Sequence, residues 1–379
     1  MKRPVAKFEC LACGHTDYQM SDRVIGDLAL GECPKCGGDM AVVARELPPR
    51  LSEIEALVSK HFEIADFSIT GDRAEFDVLT TDTKTSFTKT LQDLKSRGYL
   101  AALRERKGEL KLLVARHPKP KKENVLINVL MLMATIATTF GAGYYFGGNL
   151  NYAFLFSGSI MLILGAHELG HKIAAWRHGV ETTPPYFIPM PPPFPGTLGA
   201  IIKIKSPIPT KEALVEMGAT GPIFGFLVAL PLVVVGLMMS TTLVSAPFSL
   251  SFSPLLLGLL KLSIPGVSGF HPFVLAGWLG MLVTMLNLTP AGQLDGGHVA
   301  RGLLGPEQHY KLTRMLGFTF IMLGLFIPFM LVWGLLILFL FRGLHMGALD
   351  DVSKISQRQK FLAIAVWVIF LLCIPIPIG

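Results

Sequence analysis

Charge is divided unevenly along this 379-residue chain, and the division limits what it can fold into. Residues 1–123 carry 21 Lys/Arg and 19 Asp/Glu, whereas residues 124–379 carry only 13 and 8. A single water-soluble globule spreads charge over its whole surface, so this chain is not one. At 51% hydrophobic it is not a disordered chain either. The partition predicts a soluble N-terminal part joined to a larger polytopic α-helical membrane part.

The net charge of +7 does not point to nucleic acid. The soluble part is close to neutral, and the excess of the membrane part lies mostly beside apolar runs, where positive residues mark the cytoplasmic side. No apolar stretch follows the basic residues of MKRPVAKFEC, so the start does not read as a secretory signal. The expectation is a multi-pass protein of the cell membrane with cytoplasmic N-terminal domains and reduced cysteines.

Four of the five cysteines stand in residues 1–47, as Cys10-x-x-Cys13-Gly and Cys33-Pro-Lys-Cys36-Gly with 19 residues between the pairs. Two such knuckles fit a zinc ribbon, a closed tetrahedral site of four thiolates that holds a fold rather than doing chemistry. Cys373 reads as a small core residue of the last apolar run. Pro48 and Pro49 form a linker. Residues 50–117 read as a small α+β domain in the order helix, strand, strand, helix, strand, strand. Leu51, Ile54, Leu57 and Val58 share a helical face, and a Gly71-Asp72 turn separates strands at Phe62–Ile69 and Ala74–Leu79. A helix over Lys84–Arg97 and strands near Tyr99–Arg104 and Leu110–Ala115 complete a four-stranded sheet with two helices on one face. Nothing in it resembles a catalytic constellation.

Residues 118–123 are a basic linker, and the membrane domain is expected over 124–379. Apolar runs occupy 124–146, 152–175, 213–240, 270–289, 313–341 and 361–378. Most reach the ~20 residues that cross a bilayer core, giving about six transmembrane helices. The fifth run, with Pro328 in its middle, fits a tilted helix, a kinked helix or a shallow hairpin. The basic residues at both its ends favour the hairpin. Between the second and third runs, Pro184–Gly196 is too rich in proline for helix, and Leu198–Ser206 reads as a short strand. Apolar but non-helical chain at membrane depth must be buried in protein or line a wet cavity. This segment is therefore a candidate wall of an active-site cleft.

Chemistry is concentrated in Gly165-Ala-His167-Glu168-Leu-Gly-His171, within the second run. Histidines at i and i+4 lie on one face of a helix and can share a metal, with Glu168 beside them to take a proton from an attacking water. Three ionisable residues in an apolar helix are expensive unless they have partners. A hydrolytic zinc needs a third protein ligand. Glu168 and Asp295 are the two acidic residues of the membrane part that lie in or against apolar helices without an evident charge partner. Glu212 and Glu216 flank Lys211 at a helix start, and Asp350 and Asp351 lie in a polar loop. Pro290, Gly292, Gly296 and Gly297 would break the helix around Asp295 and let its carboxylate bend inward. His298 is a weaker rival for the ligand.

GAHELGH followed by Asn287-Leu-Thr-Pro-Ala-Gly-Gln-Leu-Asp295-Gly-Gly-His298 resembles the site-2 protease family of intramembrane zinc metalloproteases, archaeal and plant-plastid members in particular. Gly196–Ser206, Gly218-Ala-Thr-Gly221-Pro222, His271–Trp278 and Gly347-Ala-Leu-Asp350-Asp351 match in the same order, so the resemblance covers residues 124–355. It implies His167, His171 and Asp295 as zinc ligands, Glu168 as general base and acid, and Asn287 as a contact to the substrate. It also implies one catalytic Zn2+, in addition to the structural Zn2+ that the four cysteines independently suggest, and a transmembrane helix of another membrane protein as substrate. A cytosolic partner for the ribbon or the α+β domain fits the layout, and nucleic acid does not. The rival reading is a metal-ion transporter or zinc sensor using the same His and Asp residues. A transporter would have no need of Glu168, and an inactive scaffold would not keep every catalytic position.

Overall fold

The computed structural model describes residues 5–20, 28–44, 49–70, 73–117, 124–240, 253, 256, 271–340 and 345–375. The expected Gly71-Asp72 turn and the basic linker 118–123 lie outside them. The chain forms two compact units, Met1–Lys119 with Leu349–Lys354, and Pro120–Ala348 with Ile355–Gly379.

The first unit opens with strands β1 (Val5–Cys10), β2 (Thr16–Met20), β3 (Leu28–Glu32) and β4 (Asp39–Ala44), in the antiparallel order β2-β1-β4-β3. Phe8, Met40 and Val42 make its small core together with Cys10 and Cys33. Helix α1 (Pro49–Val58), strands β5 (Glu63–Thr70) and β6 (Arg73–Leu79), helix α2 (Thr83–Ser96), and strands β7 (Tyr99–Arg106) and β8 (Glu109–Arg116) follow. The sheet order is β5-β6-β8-β7. Alternation decides which face is covered: Ala74, Phe76 and Val78 on β6 and Leu112 and Val114 on β8 point to the helices. There they meet Leu51, Ile54, Leu57 and Val58 of α1 and Phe87 and Leu94 of α2.

Leu349–Lys354, read from sequence as part of a polar loop, folds into this unit. The Leu103 N–H donates to the Leu349 carbonyl (2.9 Å) and the Asp351 N–H to the Leu103 carbonyl (3.3 Å), a parallel bridge on the outer edge of β7. Asp350 is 1% exposed there. Its Oδ1 accepts from the Val352 and Ser353 N–H groups. The pattern of polar side chains hid this because Asp350 turns its Oδ1 to local backbone N–H groups rather than to water.

In the second unit, α3 (Val125–Gly147), α4 (Leu150–Arg177) and α5 (Lys211–Met239) are long and apolar enough to cross a membrane. Asn124, Asn149 and Thr210 cap their N-termini through side-chain oxygens. Gly148, at φ 67°, turns the chain tightly from α3 into α4. Between α4 and α5, strands β9 (Tyr186–Pro189) and β10 (Thr197–Ile201) form an antiparallel pair. The strand expected over Leu198–Ser206 thus begins earlier, and its end is reduced to a bridge between Thr182 and Ile204.

Helices α6 (Pro272–Leu288), α7 (Asp295–Leu303), α8 (Pro306–Leu323), α9 (Pro328–Leu340) and α10 (Gln357–Cys373) complete the unit. The fifth apolar run is two helices, α8 and α9, turned at Gly324–Ile327. Pro328 starts the second, where its missing N–H costs nothing. A Cβ on Gly317 would come within 2.5 Å of Leu338 and one on Gly334 within 2.8 Å of the Gly317 carbonyl, so the two helices lie in close contact. The central core joins α4, α5 and α6 through Ile163, Phe226, Ala229, Val233, Val274 and Met281, with Cys373 of α10 buried in it.

Candidate metal centres

His167 and His171 stand one turn apart on α4, 5% exposed and half-buried respectively, and Asp295 is the first residue of α7. Their metal-binding atoms converge. The two Nε2 atoms are 3.0 Å apart, and Asp295 Oδ2 lies 3.2 Å from His167 Nε2 and 3.3 Å from His171 Nε2. His171 Nδ1 is 2.7 Å from the Met217 carbonyl, an acceptor that requires the proton on Nδ1. Nε2 of His171 therefore turns a lone pair toward a second imidazole and a carboxylate. That donor set fits a divalent cation at its centre, and two histidines with one carboxylate are a hydrolytic zinc set with a coordination place to spare. Glu168, directly after His167, is 6% exposed.

Glycines on α5 make room for this cluster. A Cβ on Gly221 would fall 2.1 Å from His171 Nε2, and one on Gly225 would fall 3.2 Å from His167 Nδ1. One on Gly218 would strike the Asp295 carbonyl at 2.5 Å. The spacing i, i+3, i+7 puts all three on one face of α5, flat enough for both imidazoles and the start of α7 to lie on it. The sequence showed Gly218 and Gly221 only as part of a motif; that these glycines lie against His167, His171 and Asp295 is visible only in three dimensions. Beneath α7, a Cβ on Gly296 would meet the Leu288 carbonyl at 2.0 Å, and one on Gly297 the Ala291 carbonyl at 2.5 Å. This is how the broken helix around Asp295 folds back.

The proline-rich segment is tied to α3. Asn128 donates to the carbonyls of Pro184 and Pro185, and the Thr138 hydroxyl to that of Gly196 (2.6 Å). Phe187 of β9 is buried in one cluster with Phe156, Ile160 and Leu164 of α4, the last a turn ahead of His167. Leu198, Ile201 and Ile204 remain exposed. Glu216, expected beside Lys211, is instead buried and pairs with Arg177 (2.6 Å) and His178 (3.2 Å). The helical turn from Lys211 to Glu216 faces it toward the end of α4 rather than back along its own helix.

Asn287 is half-buried in the last turn of α6. His298, the weaker rival for the ligand, is not part of the His–Asp cluster; its Nδ1 lies 3.0 Å from the Leu294 carbonyl.

The second cluster is in the ribbon. Cys10, Cys13, Cys33 and Cys36 are unpaired cysteines whose sulfurs lie within 4.8 Å of one another. Gly14 and Gly37, at φ 65° and 72°, turn the two knuckles, and their N–H groups return to the Cys10 and Cys33 carbonyls. Burial raises the Cys10 thiol, but N–H groups of Ala12 and Cys13 outweigh it and bring it down to about 7. Against the Gly38 N–H, the Cys13 and Cys10 sulfurs push Cys36 up to about 12. Four sulfurs so close cannot all be thiolates unless a cation lies between them, and this set fits a structural zinc.

Residues 155–329 match the model of Peptidase family M50. The matched stretch is a little under half of the chain. Both histidines, Glu168 and Asp295 fall inside it. The chain is 34% identical over 234 residues to "Probable zinc metalloprotease EGY1, chloroplastic" of Arabidopsis thaliana, covering 57% of this chain and 42% of that protein. It is 34% identical over 228 residues to the EGY1 of Oryza sativa subsp. japonica, covering 55% and 38%. To "Probable zinc metalloprotease EGY2, chloroplastic" of Arabidopsis thaliana it is 32% identical over 233 residues, covering 57% and 40%. The chain thus spans well under half the length of these relatives. Among solved structures it is similar to a site-2 protease from Methanocaldococcus jannaschii, with a TM-score of 0.32 and 17% identity over 61% of this chain and 93% of that one. That superposition is too loose to place residues.

Proposed function

We propose that this protein is an intramembrane zinc metalloprotease of the site-2 type, hydrolysing peptide bonds in or near transmembrane segments of other membrane proteins. The observation that carries the reading is the convergence of His167, His171 and Asp295 to 3.0–3.3 Å beside a buried Glu168, in a helix apolar enough to span a membrane. The M50 match and the metalloprotease names of the plant relatives support it.

His167, His171 and Asp295 hold the catalytic metal. A bound zinc supplies Lewis acidity that polarises the scissile carbonyl and lowers the pKa of water. Glu168 takes the proton of the attacking water and returns it to the leaving amine. The Met217 carbonyl keeps His171 in its metal-binding tautomer. Asn287, on the last turn of α6, binds the substrate backbone. A transmembrane helix hides its carbonyls in its own hydrogen bonds, so a segment must unwind and find new partners inside the membrane. The β9–β10 hairpin and the residues up to Ser206 offer a strand to pair with it.

The six apolar runs make a multi-pass membrane domain, with the ribbon and α+β domain on the cytoplasmic side of the cell membrane. In that setting the exposed Leu126, Leu130, Met133, Leu162 and Leu169 face lipid. The ribbon's four cysteines hold a structural zinc, and the ribbon or its neighbouring domain receives a cytosolic partner.

The test is Glu168→Gln in the full chain reconstituted with a transmembrane peptide substrate. Zinc content should match wild type while cleavage disappears. Cleavage that persists with zinc bound overturns the assignment.

A further inference from the structure

Helix α8 turns an unusual face inward. Its buried residues are His309, Thr313 and Gly317, at the spacing i, i+4, i+8 that makes one stripe. None of them brings a large apolar side chain to the interior. Gly317 is where α9 comes close. His309, at 1% exposed, and Thr313, at 2%, need another explanation, since burying a polar group costs free energy unless a hydrogen bond offsets it.

Both reach the break in the chain that carries Asp295. The Gly292 N–H donates to the Thr313 hydroxyl (3.0 Å), which itself donates to the His309 carbonyl (3.0 Å). Gly292, at φ 54°, is buried in the non-helical turn between α6 and α7, and Thr313 supplies the acceptor its N–H needs there. On the other side of Asp295, the His309 ring donates to the Gly297 carbonyl. Nε2 of that ring is buried without a protein partner among the described residues, so the bond is made through Nδ1. What the imidazole adds over a phenylalanine of similar shape is this single hydrogen bond.

One helix thus holds the chain three residues before Asp295 and again two residues after it. Between those points Asp295 Oδ2 stands 3.2 Å from His167 Nε2 and 3.3 Å from His171 Nε2. The close contacts at Gly296 and Gly297 limit how near α7 can come to the end of α6, but contact alone leaves the rotation of the turn open. Directional bonds at two fixed points close it. We propose that His309 and Thr313 are positioning residues for the metal centre: by holding Gly297 and Gly292 they set the direction in which the Asp295 carboxylate leaves its turn. They act through Asp295 and take no part in the chemistry themselves. The effect on zinc binding stands on this geometry; the effect on cleavage rests on the protease reading above.

Zinc affinity, measured by chelator competition on the full chain in lipid nanodiscs, tests this. Thr313→Val and His309→Phe are the disconnecting variants. Thr313→Ser and His309→Asn are the conservative ones, which keep a hydroxyl or an amide N–H in place. In each disconnecting variant the zinc of the His–Asp centre should bind about 10- to 100-fold more weakly, while the ribbon zinc holds. Hydrogen exchange should rise about tenfold or more across 289–298 and stay at the wild-type level in α4 and α5. On a transmembrane peptide with zinc in excess, kcat should fall about tenfold or more with KM little changed. The conservative variants should bind zinc nearly as wild type does. Zinc held at wild-type affinity in both disconnecting variants overturns the proposal, even if exchange rises, and leaves the two side chains as ordinary packing. Equal loss in the conservative variants overturns it too, since volume rather than the hydrogen bond would then be what matters. Thr313→Val exchanges a hydroxyl for a methyl group of similar size, so it decides the matter if His309→Phe does not fold. A wild-type chain that binds zinc without peptidase activity would sink the protease reading and leave the affinity result to decide this one.

Discussion

His171 and Met217 are joined across 2.7 Å by an imidazole N–H and a main-chain carbonyl. The bond comes from the backbone of α5, so no substitution at position 217 can remove it. It settles three things at once: the tautomer of His171, the orientation of its ring, and the distance at which α5 passes α4. A histidine held this way is oriented without any metal, which is the usual arrangement for one whose other nitrogen binds metal.

Gly221 lies beside that bond and has no spare room. A Cβ there would sit 2.1 Å from His171 Nε2, the very atom that faces His167 and Asp295. Gly221→Ala should therefore release the catalytic zinc, with affinity lowered by roughly 10- to 100-fold or more, while ribbon zinc is retained. Metal analysis of the purified variant after dialysis against a mild chelator checks this; catalytic zinc kept at wild-type affinity would refute the seating role of the glycine face.

The ribbon should respond independently. Cys33 is 3% exposed and shares the ribbon core with Phe8 and Val42. Cys33→Ser should lose the structural zinc and raise hydrogen exchange throughout β1–β4, while the His–Asp centre keeps its metal. Loss of both metals together would mean that the two sites are not separate.

Glu216 carries a carboxylate 3% exposed, matched by Arg177 at 2.6 Å and His178 at 3.2 Å. Arg177 is about half-exposed and can turn to water when its partner is lost, which limits the penalty. Glu216→Gln is expected to destabilise the second unit by about 1–2 kcal/mol. Thermal unfolding in nanodiscs measures it, and an unchanged midpoint would show the pair to be idle.

Acid should act on α2 through Asp82. This N-cap aspartate accepts from the Thr85 hydroxyl and the Thr85 N–H, and those bonds hold its carboxyl below the usual range. A depressed folded pKa contributes stability that is present above about pH 4, the unfolded value, and is lost as pH falls through the folded one. Exchange protection in α2 should drop below about pH 4 in wild type, and Asp82→Asn, which caps without ionising, should flatten that dependence. The same slope in both proteins would rule Asp82 out as the cause.

The hairpin makes the last prediction. Ile202 follows β10 on the chain proposed to pair with an unwound substrate. Ile202→Pro removes a backbone donor there and should impair cleavage strongly while zinc content stays normal. Unchanged turnover would show that the substrate finds its partners elsewhere.

Much of this was legible in the one-dimensional text because it depends on local repetition. Strands and helices of the α+β domain lie within a few residues of where period-2 and period-3.6 patterns put them, and the i, i+4 histidines were bound to share a face. The fifth apolar run was ambiguous for a physical reason. A proline is equally at home in a kink and at the first turn of a new helix, and only the close seating of Gly317 and Gly334 against the facing helix selects the hairpin. Asp350 misled because a polar side chain reads as a wet one.

By itself, then, the sequence determined the division into a charged and an apolar part, the two sets of metal-binding residue types and the helix that carries His167, Glu168 and His171. Those follow from hydropathy and from spacing along one element. Asp295 was already marked by its motif; tertiary structure decided that its carboxylate comes within 3.3 Å of both imidazoles and that three glycines of α5 lie against the cluster. It also decided that residues 349–354 fold with the first unit, where they bridge to Leu103. Each of these is a meeting of segments far apart in sequence. Packing at short range selects such meetings, and no local pattern encodes which distant backbone will be close enough to touch.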